Sequence, residues 1–467
     1  MRRVKPSPLV GLKNKINIES MDLEAQGIGR LPSTDPHSPN KVIFVAGALP
    51  SEYVEYQITQ DKSKFLKGKL TEVITPAVYR RTPKCPWFGN CGGCTMQHLD
   101  SKAQIALKQR VLEDNLAHLG KVKATTLLRP VAGLDWAYRY RTRLSVVNRS
   151  IKKGTVLVGF HEPQNRYVSD MTSCEVLPPQ WSALLPYLRQ LVMDLSIRDR
   201  IPQIELAMGS QSETSITAMV IRILLPLTAD DETILIEFAK KHQVWIWTQT
   251  HGPESVKPFY PLTGELKYDL PEFGIEIPFV PTDFTQVNHA MNQVLVGRAI
   301  RLVEIAPDES VLDLFCGIGN FTLPIATLAK EVLGIEGSDV LCQRAQENAL
   351  RNNIHKKVSF KQMNLFETQL EHIKTWGRFD KWLIDPPRDG AYALVQALRD
   401  AYQSQLEENL NILPRRIVYV SCNPATLARD AGILVNEAGY ELSQAGIFNM
   451  FPHTSHIESI AVFDLST

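Results

Sequence analysis

The sequence predicts an α/β protein in three parts: a Rossmann-like parallel sheet over residues 281–467, an OB-like β-barrel over 13–75, and a central α/β domain over 76–280. Three observations predict it. The last third alternates strand-like with helix-like runs, which builds a parallel sheet. A glycine loop inside that alternation, Asp313-Leu314-Phe315-Cys316-Gly317-Ile318-Gly319-Asn320, turns a strand into a helix. The first 75 residues hold only short alternating runs broken by turn residues.

In the first part the runs are 16–19, 41–45 and 53–58, punctuated by Gly27, Gly29, Pro50 and Gly68. About five short strands in so little chain suit a small OB-like barrel, a common binder of single-stranded nucleic acid. Lys62, Lys64, Lys67 and Lys69 crowd one hairpin, where they track phosphates or guard a sheet edge.

The composition is that of an ordinary globular chain: 467 residues, 44% hydrophobic and 22% charged. No run is apolar for long enough to span a membrane. The basic start, Met1 to Pro6, lacks a following apolar stretch, so no signal peptide is expected and the expected location is cytoplasmic. A net charge of +1 makes any nucleic-acid footprint local. Seven cysteines in a cytosolic chain serve as ligands, nucleophiles or core residues rather than disulfides.

Three of those cysteines, Cys85, Cys91 and Cys94, are spaced C-x5-C-x2-C. Thiolates so spaced converge on one metal centre, and Gly92 and Gly93 free backbone N–H groups to point at sulfur. Trp87 and Phe88 shield such a site, and Cys174 is the candidate fourth ligand. Four thiolates suit zinc or an iron–sulfur cluster. Residues 101–119 have helical periodicity. In 136–146, strand alternation puts Arg139, Arg141 and Arg143 on one face among tyrosines, a stripe suited to phosphate and base contacts or to acids from a neighbouring strand.

In the last third the expected strands are 358–363, 380–384 and 416–420. The expected helices are 338–352, 391–402 and 425–438, and 440–450 with 457–463 form a closing antiparallel hairpin. Gly317 and Gly319 admit a ligand close to the backbone. Asn320 stands where the third glycine of a dinucleotide fingerprint is required, and Glu336 lies about 20 residues on, where a ribose-binding carboxylate belongs. That pattern favours S-adenosylmethionine over a nicotinamide cofactor. Asn364, Asp385-Pro386-Pro387-Arg388 and Ser421-Cys422-Asn423-Pro424 each end a strand, where ligands of such sheets sit. Asn423 is a good N-cap and Pro424 a good first helical residue, so Cys422 precedes a helix N-terminus, which favours thiolate. A methyltransferase needs a thiolate when its target carbon is a poor nucleophile, such as C5 of uracil. Addition of sulfur to C6 makes C5 an enolate carbon, and a base then removes the C5 proton. Glu458 is the candidate base.

The cysteine set, the 313–320 loop, Asp385–Arg388, Ser421-Cys-Asn-Pro-Ala-Thr-Leu-Ala-Arg-Asp430 and Phe451-Pro-His-Thr-Ser-His-Ile-Glu458 together resemble the RNA 5-methyluridine methyltransferases over nearly the whole chain. With a TRAM barrel in front and the cysteines present, the resemblance is to members acting on 23S ribosomal RNA. It implies a four-iron, four-sulfur (4Fe-4S) cluster on Cys85, Cys91, Cys94 and Cys174. It implies Cys422 as nucleophile and Glu458 as proton acceptor. It implies S-adenosylmethionine contacts by Gln286, Phe315, Asn320, Glu336, Asn364 and Asp385. The protein is expected to act as a monomer without a membrane partner. Asn449 stands where the family often has an acid, and Pro387 where it often has alanine. The rivals fare worse on residues. Arg388 is neither the aromatic an amino-methyltransferase uses after Asp-Pro-Pro nor the second cysteine of a 5-methylcytosine enzyme. Other ribosomal sites or transfer RNA are alternative substrates within the family, and a non-catalytic iron–sulfur RNA-binding protein would not need Cys422.

Overall fold

The computed structural model describes residues 7–22, 24–31, 41–148, 154–163, 165–211, 214–408 and 411–466. They divide into two compact units, one of residues 1–107 with 452–455 and one of 108–451 with 456–467. No helix among the described residues is long and apolar enough to cross a membrane.

The first unit opens with six strands: β1 (Lys13–Asn17), β2 (Ser20–Met21), β3 (Gln26–Leu31), β4 (Lys41–Ala46), β5 (Tyr53–Asp61) and β6 (Phe65–Thr75). Their order is β1-β5-β6-β4-β3-β2. The sheet curls until its ends meet: a Cβ on Gly29 of β3 would lie 2.7 Å from Ile16 Cδ1 and 3.0 Å from Asn17 O of β1. Glycine in β3 is what permits that approach, and closure removes the exposed edge. Ile16, Ile43, Val45, Val54, Tyr56 and Ile58 fill the interior. The four lysines fall on the β5–β6 hairpin, where Asp61 pairs with Leu66. Residues 76–100, which carry three of the cysteines, form turns without a helix or strand. A small second core of Met21, Ala25, Leu49, Met96 and Leu99 lies under them.

Helix α1 (Ser101–Asn115) ends in a π-turn at Leu116–Gly120, closed by Lys121 at φ +56. In the second unit a short strand, β7 (Thr126–Leu127), is followed by the central sheet. That sheet holds β8 (Arg141–Asn148), β9 (Val156–Gly159), β10 (Gln203–Gln211), β11 (Thr214–Arg222), β12 (Val244–Gln249), β13 (Lys257–Tyr260), β14 (Leu266–Leu270) and β15 (Ile275–Phe279). Helices α2 (Pro179–Asp194) and α3 (Ala229–His242) belong to the same stretch of chain.

The arginine-rich segment is half of what its alternation predicts. Residues 136–140 are not strand: Ala137 has φ +54, and the amides of Ala137, Arg139 and Tyr140 bond to Glu175 O, Val176 O and Val287 O instead of to a sheet neighbour. Strand β8 starts only at Arg141. Arg141 is spent internally, donating to Thr282 O (3.1 Å) and Asp283 O. Arg143 pairs with Glu205 at 2.9 Å across the β8–β10 ladder, with its side chain still largely exposed.

The last sheet is built from β16 (Ser310–Leu314), β17 (Glu331–Glu336), β18 (Val358–Gln362), β19 (Lys381–Ile384), β20 (Arg416–Ser421), β21 (Tyr440–Phe448) and β22 (Glu458–Leu465), with β7 added at its edge. The order is β18-β17-β16-β19-β20-β22-β21-β7. β16 to β20 are mutually parallel, and β22 enters antiparallel beside β20. Strand order reverses on either side of β16, which opens a crevice at its carboxyl end. Helices α4 (His289–Val303), α5 (Thr322–Leu328), α6 (Asp339–Arg351), α7 (Leu370–Trp376), α8 (Tyr392–Glu408) and α9 (Pro424–Glu437) cover the faces. Every residue of β16 and β19 is buried, as two-sided burial in a parallel sheet requires. α4 seals one side with Leu295, Val296 and Ala299 packed in one core with Val311, Leu383, Val418 and Ile460.

Candidate active site

The crevice has two poles. At the first, β16 runs into the glycine loop. Phe315 and Cys316 both donate their amides to Ile335 O (2.9 and 3.1 Å), which turns the chain sharply. Phe315 takes φ +65, Gly317 φ +55 and Gly319 φ +96. Such left-handed conformations suit glycine and are uncommon elsewhere, so Phe315 marks a constrained position. Glu336, at the end of β17, anchors the loop: its carboxylate accepts from Gly317 N (3.1 Å) and Ser338 N (3.0 Å). Asp313 is fully buried and accepts from Thr322 Oγ1 at 2.5 Å. Burial, with Asp385 and Glu336 nearby, pushes its carboxyl up to about 8.

Asn320 is locked by a side-chain network. Its Oδ1 accepts from Tyr268 OH and Asn292 Nδ2, both at 3.0 Å, and its Nδ2 donates to Asn292 Oδ1 at 3.1 Å. Asn364 accepts from Phe366 N at 3.1 Å, and the Phe366 ring lies 5.7 Å from that of Phe315. Phe366 is 49% exposed, an apolar face beside the loop that periodicity alone did not single out. Gln286 is half-buried in a segment pinned on several sides. Arg141 holds Thr282 and Asp283, Arg344 pairs with Asp283, Tyr140 N donates to Val287 O at 2.7 Å, and Asn288 Nδ2 donates to Met450 O at 3.3 Å.

At the second pole the antiparallel register does the positioning. Ser421, last residue of β20, opposes Ser459 of β22. The next residues along each strand, Cys422 and Glu458, therefore face one another, and Asp385 ends the neighbouring β19 side. Asn423 caps α9 through Ala425 N (3.1 Å) with Pro424 first in the helix. A helix N-terminus alone predicts an acidic thiol. Burial, then Glu458 and Asp385, outweigh it and push Cys422 up to about 11, while Arg388 pulls the other way. Burial raises Asp385 to about 7 and, together with Asp385, drives Glu458 well above the carboxylate range. Arg388 Nη2 lies 3.2 Å from His456 Nδ1. Since guanidinium only donates, Nδ1 accepts and the neutral imidazole carries its proton on Nε2. Burial and then Arg388 hold His456 down at about 4.

The structure thus gathers Phe315, Asn320, Glu336, Asn364, Asp385, Cys422 and Glu458 along the carboxyl ends of one sheet. The cysteines fall apart by unit: Cys85, Cys91 and Cys94 belong to the first, Cys174 to the second. Within the first, Cys85 N donates to Gln97 Oε1 (3.0 Å) and Gly93 N points at Cys91 Sγ (3.4 Å). Cys174 is buried, with its amide on Ser182 Oγ at 2.8 Å. Among the described residues no three His, Cys, Asp or Glu side chains group as ligands of a single metal ion.

A thiol beside a carboxylate, next to a glycine loop with a strand-end acid, is the layout expected of a methyltransferase that works through a covalent thiol adduct. Comparison with known proteins places it in the RNA uracil-C5 class. Residues 274–464 match the family described as tRNA (Uracil-5-)-methyltransferase, and residues 10–71 match the TRAM domain. The fold is similar to the crystal structure of Pyrococcus abyssi tRNA (uracil-54, C5)-methyltransferase in complex with S-adenosyl-L-homocysteine, at a TM-score of 0.71 and 20% identity, covering 96% of this chain and 100% of that one. The chain belongs to the family of 23S rRNA (uracil(1939)-C(5))-methyltransferase RlmD. It is 57% identical to the member from Polynucleobacter necessarius over 462 residues, 96% of each chain, and 56% identical to that from Burkholderia ambifaria over 464 residues, 99% of this chain and 98% of the other.

Proposed function

We propose that this protein methylates C5 of a uridine in 23S ribosomal RNA, uracil 1939 in the numbering of its relatives, with S-adenosylmethionine as methyl donor. The facing of Cys422 and Glu458 across β20 and β22, beside Asp385, carries the proposal. In this reading Gln286, Phe315, Asn320, Glu336, Asn364 and Asp385 hold the donor. The target base leaves its stack to enter the crevice. Cys422 adds to C6, C5 takes the methyl group, and Glu458 accepts the C5 proton so that the thiolate departs. A thiol at about 11 is neutral at rest, so its proton must pass to a base as the C–S bond forms.

Further parts of the reading are that residues 13–75, 76–280 and 281–467 act as RNA-binding, iron–sulfur and catalytic modules, and that the chain works as a cytoplasmic monomer. Cys85, Cys91, Cys94 and Cys174 hold a 4Fe-4S cluster. The support is the chemistry of the residue types: thiolates are the soft ligands such clusters take, and the Gly93 amide offers the N–H···S contact that stabilises charged sulfur. The deciding experiment gives the protein methyl-labelled S-adenosylmethionine with 23S ribosomal RNA or transfer RNA. Label should appear as 5-methyluridine in the ribosomal RNA at a single site. Label confined to transfer RNA would reject the assignment.

The RNA footprint is testable by salt dependence. Arg143→Ala should weaken RNA binding across sequences and lower the slope of log affinity against log salt by about one, because one phosphate contact is lost. Replacing Lys62, Lys64, Lys67 and Lys69 together with glutamine should lower the slope further. Substitution is preferable to deleting the barrel, which would strip Met21 and Leu49 from Met96 and Leu99. Unchanged slopes in both variants would place the footprint elsewhere. Arg141→Ala should instead loosen the Gln286 segment and weaken S-adenosylmethionine binding.

A further inference from the structure

The loop from Asp385 to Ala391 is fastened to helix α9 by groups that none of the steps above uses. Arg388 O accepts from Asn423 Nδ2 (3.0 Å) and Thr426 Oγ1 (3.2 Å). Asp389 O accepts from Arg429 Nη2 (2.9 Å). Ala391 N donates to Asp430 Oδ2 (2.8 Å), and the Tyr419 hydroxyl donates to the same oxygen (2.7 Å). Arg429 Nε reaches Asp430 Oδ1 (2.8 Å), and its guanidinium lies over the Tyr392 ring at 4.9 Å. Asp430 is fully buried, and its charge is met by Arg429. Gly390 has φ +77, and the fit around it is tight. A Cβ there would lie 2.7 Å from both Arg429 Nη2 and Asp430 Oδ2, and 3.0 Å from Thr426 Cβ.

Backbone groups at 388, 389 and 391 are thus tied to 423, 426, 429 and 430, the start and one face of α9. That helix starts two residues after Cys422. The loop side chain delivered by this fastening is Arg388, exposed, with its guanidinium against His456. Around the Cys422 thiol, Glu458 and Asp385 oppose ionisation and Arg388 is the cation that offsets them. A cation helps a developing thiolate most when it is held in place beforehand, because no ordering is then required at the moment of attack.

We propose that Gly390, Thr426, Arg429 and Asp430 form a clamp that positions Arg388 for the Cys422 thiol, acting through the loop and not on substrate. The proposal rests on Cys422 as the nucleophile. Its test reads thiol ionisation directly: the pH profile of Cys422 alkylation by iodoacetamide, followed on its own peptide by mass spectrometry, in the full-length protein. Thr426→Val and Arg429→Gln should each move the profile to higher pH, with roughly three- to tenfold less alkylation at a fixed pH below the midpoint. Gly390→Ala should move it at least as far. Arg388→Gln should give a similar shift, and the double variant Arg388→Gln/Arg429→Gln should show no more than Arg388→Gln alone, since both changes remove one interaction. Arg429→Lys should recover part of the wild-type profile. S-adenosylmethionine affinity, set at the other pole, should stay within about twofold in Thr426→Val. Wild-type profiles in Thr426→Val and Arg429→Gln, or shifts that add in the double variant, would overturn the clamp. Thr426→Val removes a single hydroxyl, so the test survives if Arg429→Gln fails to fold. If the nucleophile assignment itself is wrong, Glu458→Gln protein will form no denaturant-stable RNA adduct, whatever the alkylation profiles show.

Discussion

Cys422→Ala is expected to yield neither methylated RNA nor a covalent protein–RNA complex, with turnover down on the order of 10⁴-fold or more. Glu458→Gln is expected to differ in kind. Without sulfur addition, C5 of uracil has no enolate character and cannot take the methyl group, so Cys422 governs the first bond made. Glu458 is needed only afterwards, when the C5 proton must leave before sulfur can be expelled. Glutamine keeps the shape and removes the base, so addition and methylation proceed while release stalls, slowing turnover by about 10²–10⁴-fold. Methyl-labelled RNA should then remain attached to Glu458→Gln protein through denaturing electrophoresis. The register of β20 and β22 adds a sign that the chemistry alone does not give. Glu458 is the leading charge opposing Cys422 ionisation after burial itself. Replacing it with a neutral side chain removes that charge, so free Glu458→Gln protein should alkylate faster than wild type at the pH values where Glu458 is ionised. A labelled band with Cys422→Ala, full turnover by Glu458→Gln, or slower alkylation in that variant would each refute the paired assignment.

What the sequence made legible is what local backbone chemistry marks. The turn at Gly317 and Gly319 needs left-handed conformations, and Asn423-Pro424 caps a helix and starts it, so both loops could be placed at strand ends before any coordinates. The closing hairpin showed as two strand-like runs with no helix between them, and β21 and β22 pair there. Long-range partners leave no such mark. Arg141 alternates with Arg139 and Arg143 like a surface stripe, yet the carbonyls that consume it lie at Thr282 and Asp283, about 140 residues away. The amides of 137, 139 and 140 likewise answer to Glu175, Val176 and Val287, so the expected strand begins only at Arg141. The two-residue strand β7, pairing with β21 at Gln444 and Ala445, is too short to have a period. The acidity of Cys422 inverts for a related reason: the helix N-terminus is local in sequence, while Glu458 reaches the thiol across the sheet. The clamp on 388–391 was invisible because Thr426, Arg429 and Asp430 read as ordinary helix residues until Gly390 is seen packed among them.

Protein purified without oxygen is expected to be brown and to hold about four irons per chain, and Cys91→Ala to lose both colour and iron. Residues 76–100 form no helix or strand, and Tyr79, Met96 and Leu99 pack in a small core with Met21, Ala25 and Leu49. A stretch with so small a core gains its rigidity from cross-links or metal, as small domains do. The Cys91 backbone is already shaped for a ligand, with its amide on Trp87 O at 2.8 Å and Gly93 N directed at its sulfur. In the proposed reading a centre would bind the folded arrangement and not the unfolded one, so its binding free energy would be folding free energy for this segment. Loss of Cys91 should therefore leave 76–100 open to proteolysis while the sheet of 310–465 stays folded and S-adenosylmethionine still binds. Cys174→Ala should copy Cys91→Ala in colour and iron if that thiol is the fourth ligand. Cys342→Ala, at a buried position within α6 and outside the set, should lose neither. Stoichiometric zinc with no iron in the anaerobic protein would make the centre a zinc site, and full iron in Cys174→Ala would move the fourth ligand elsewhere.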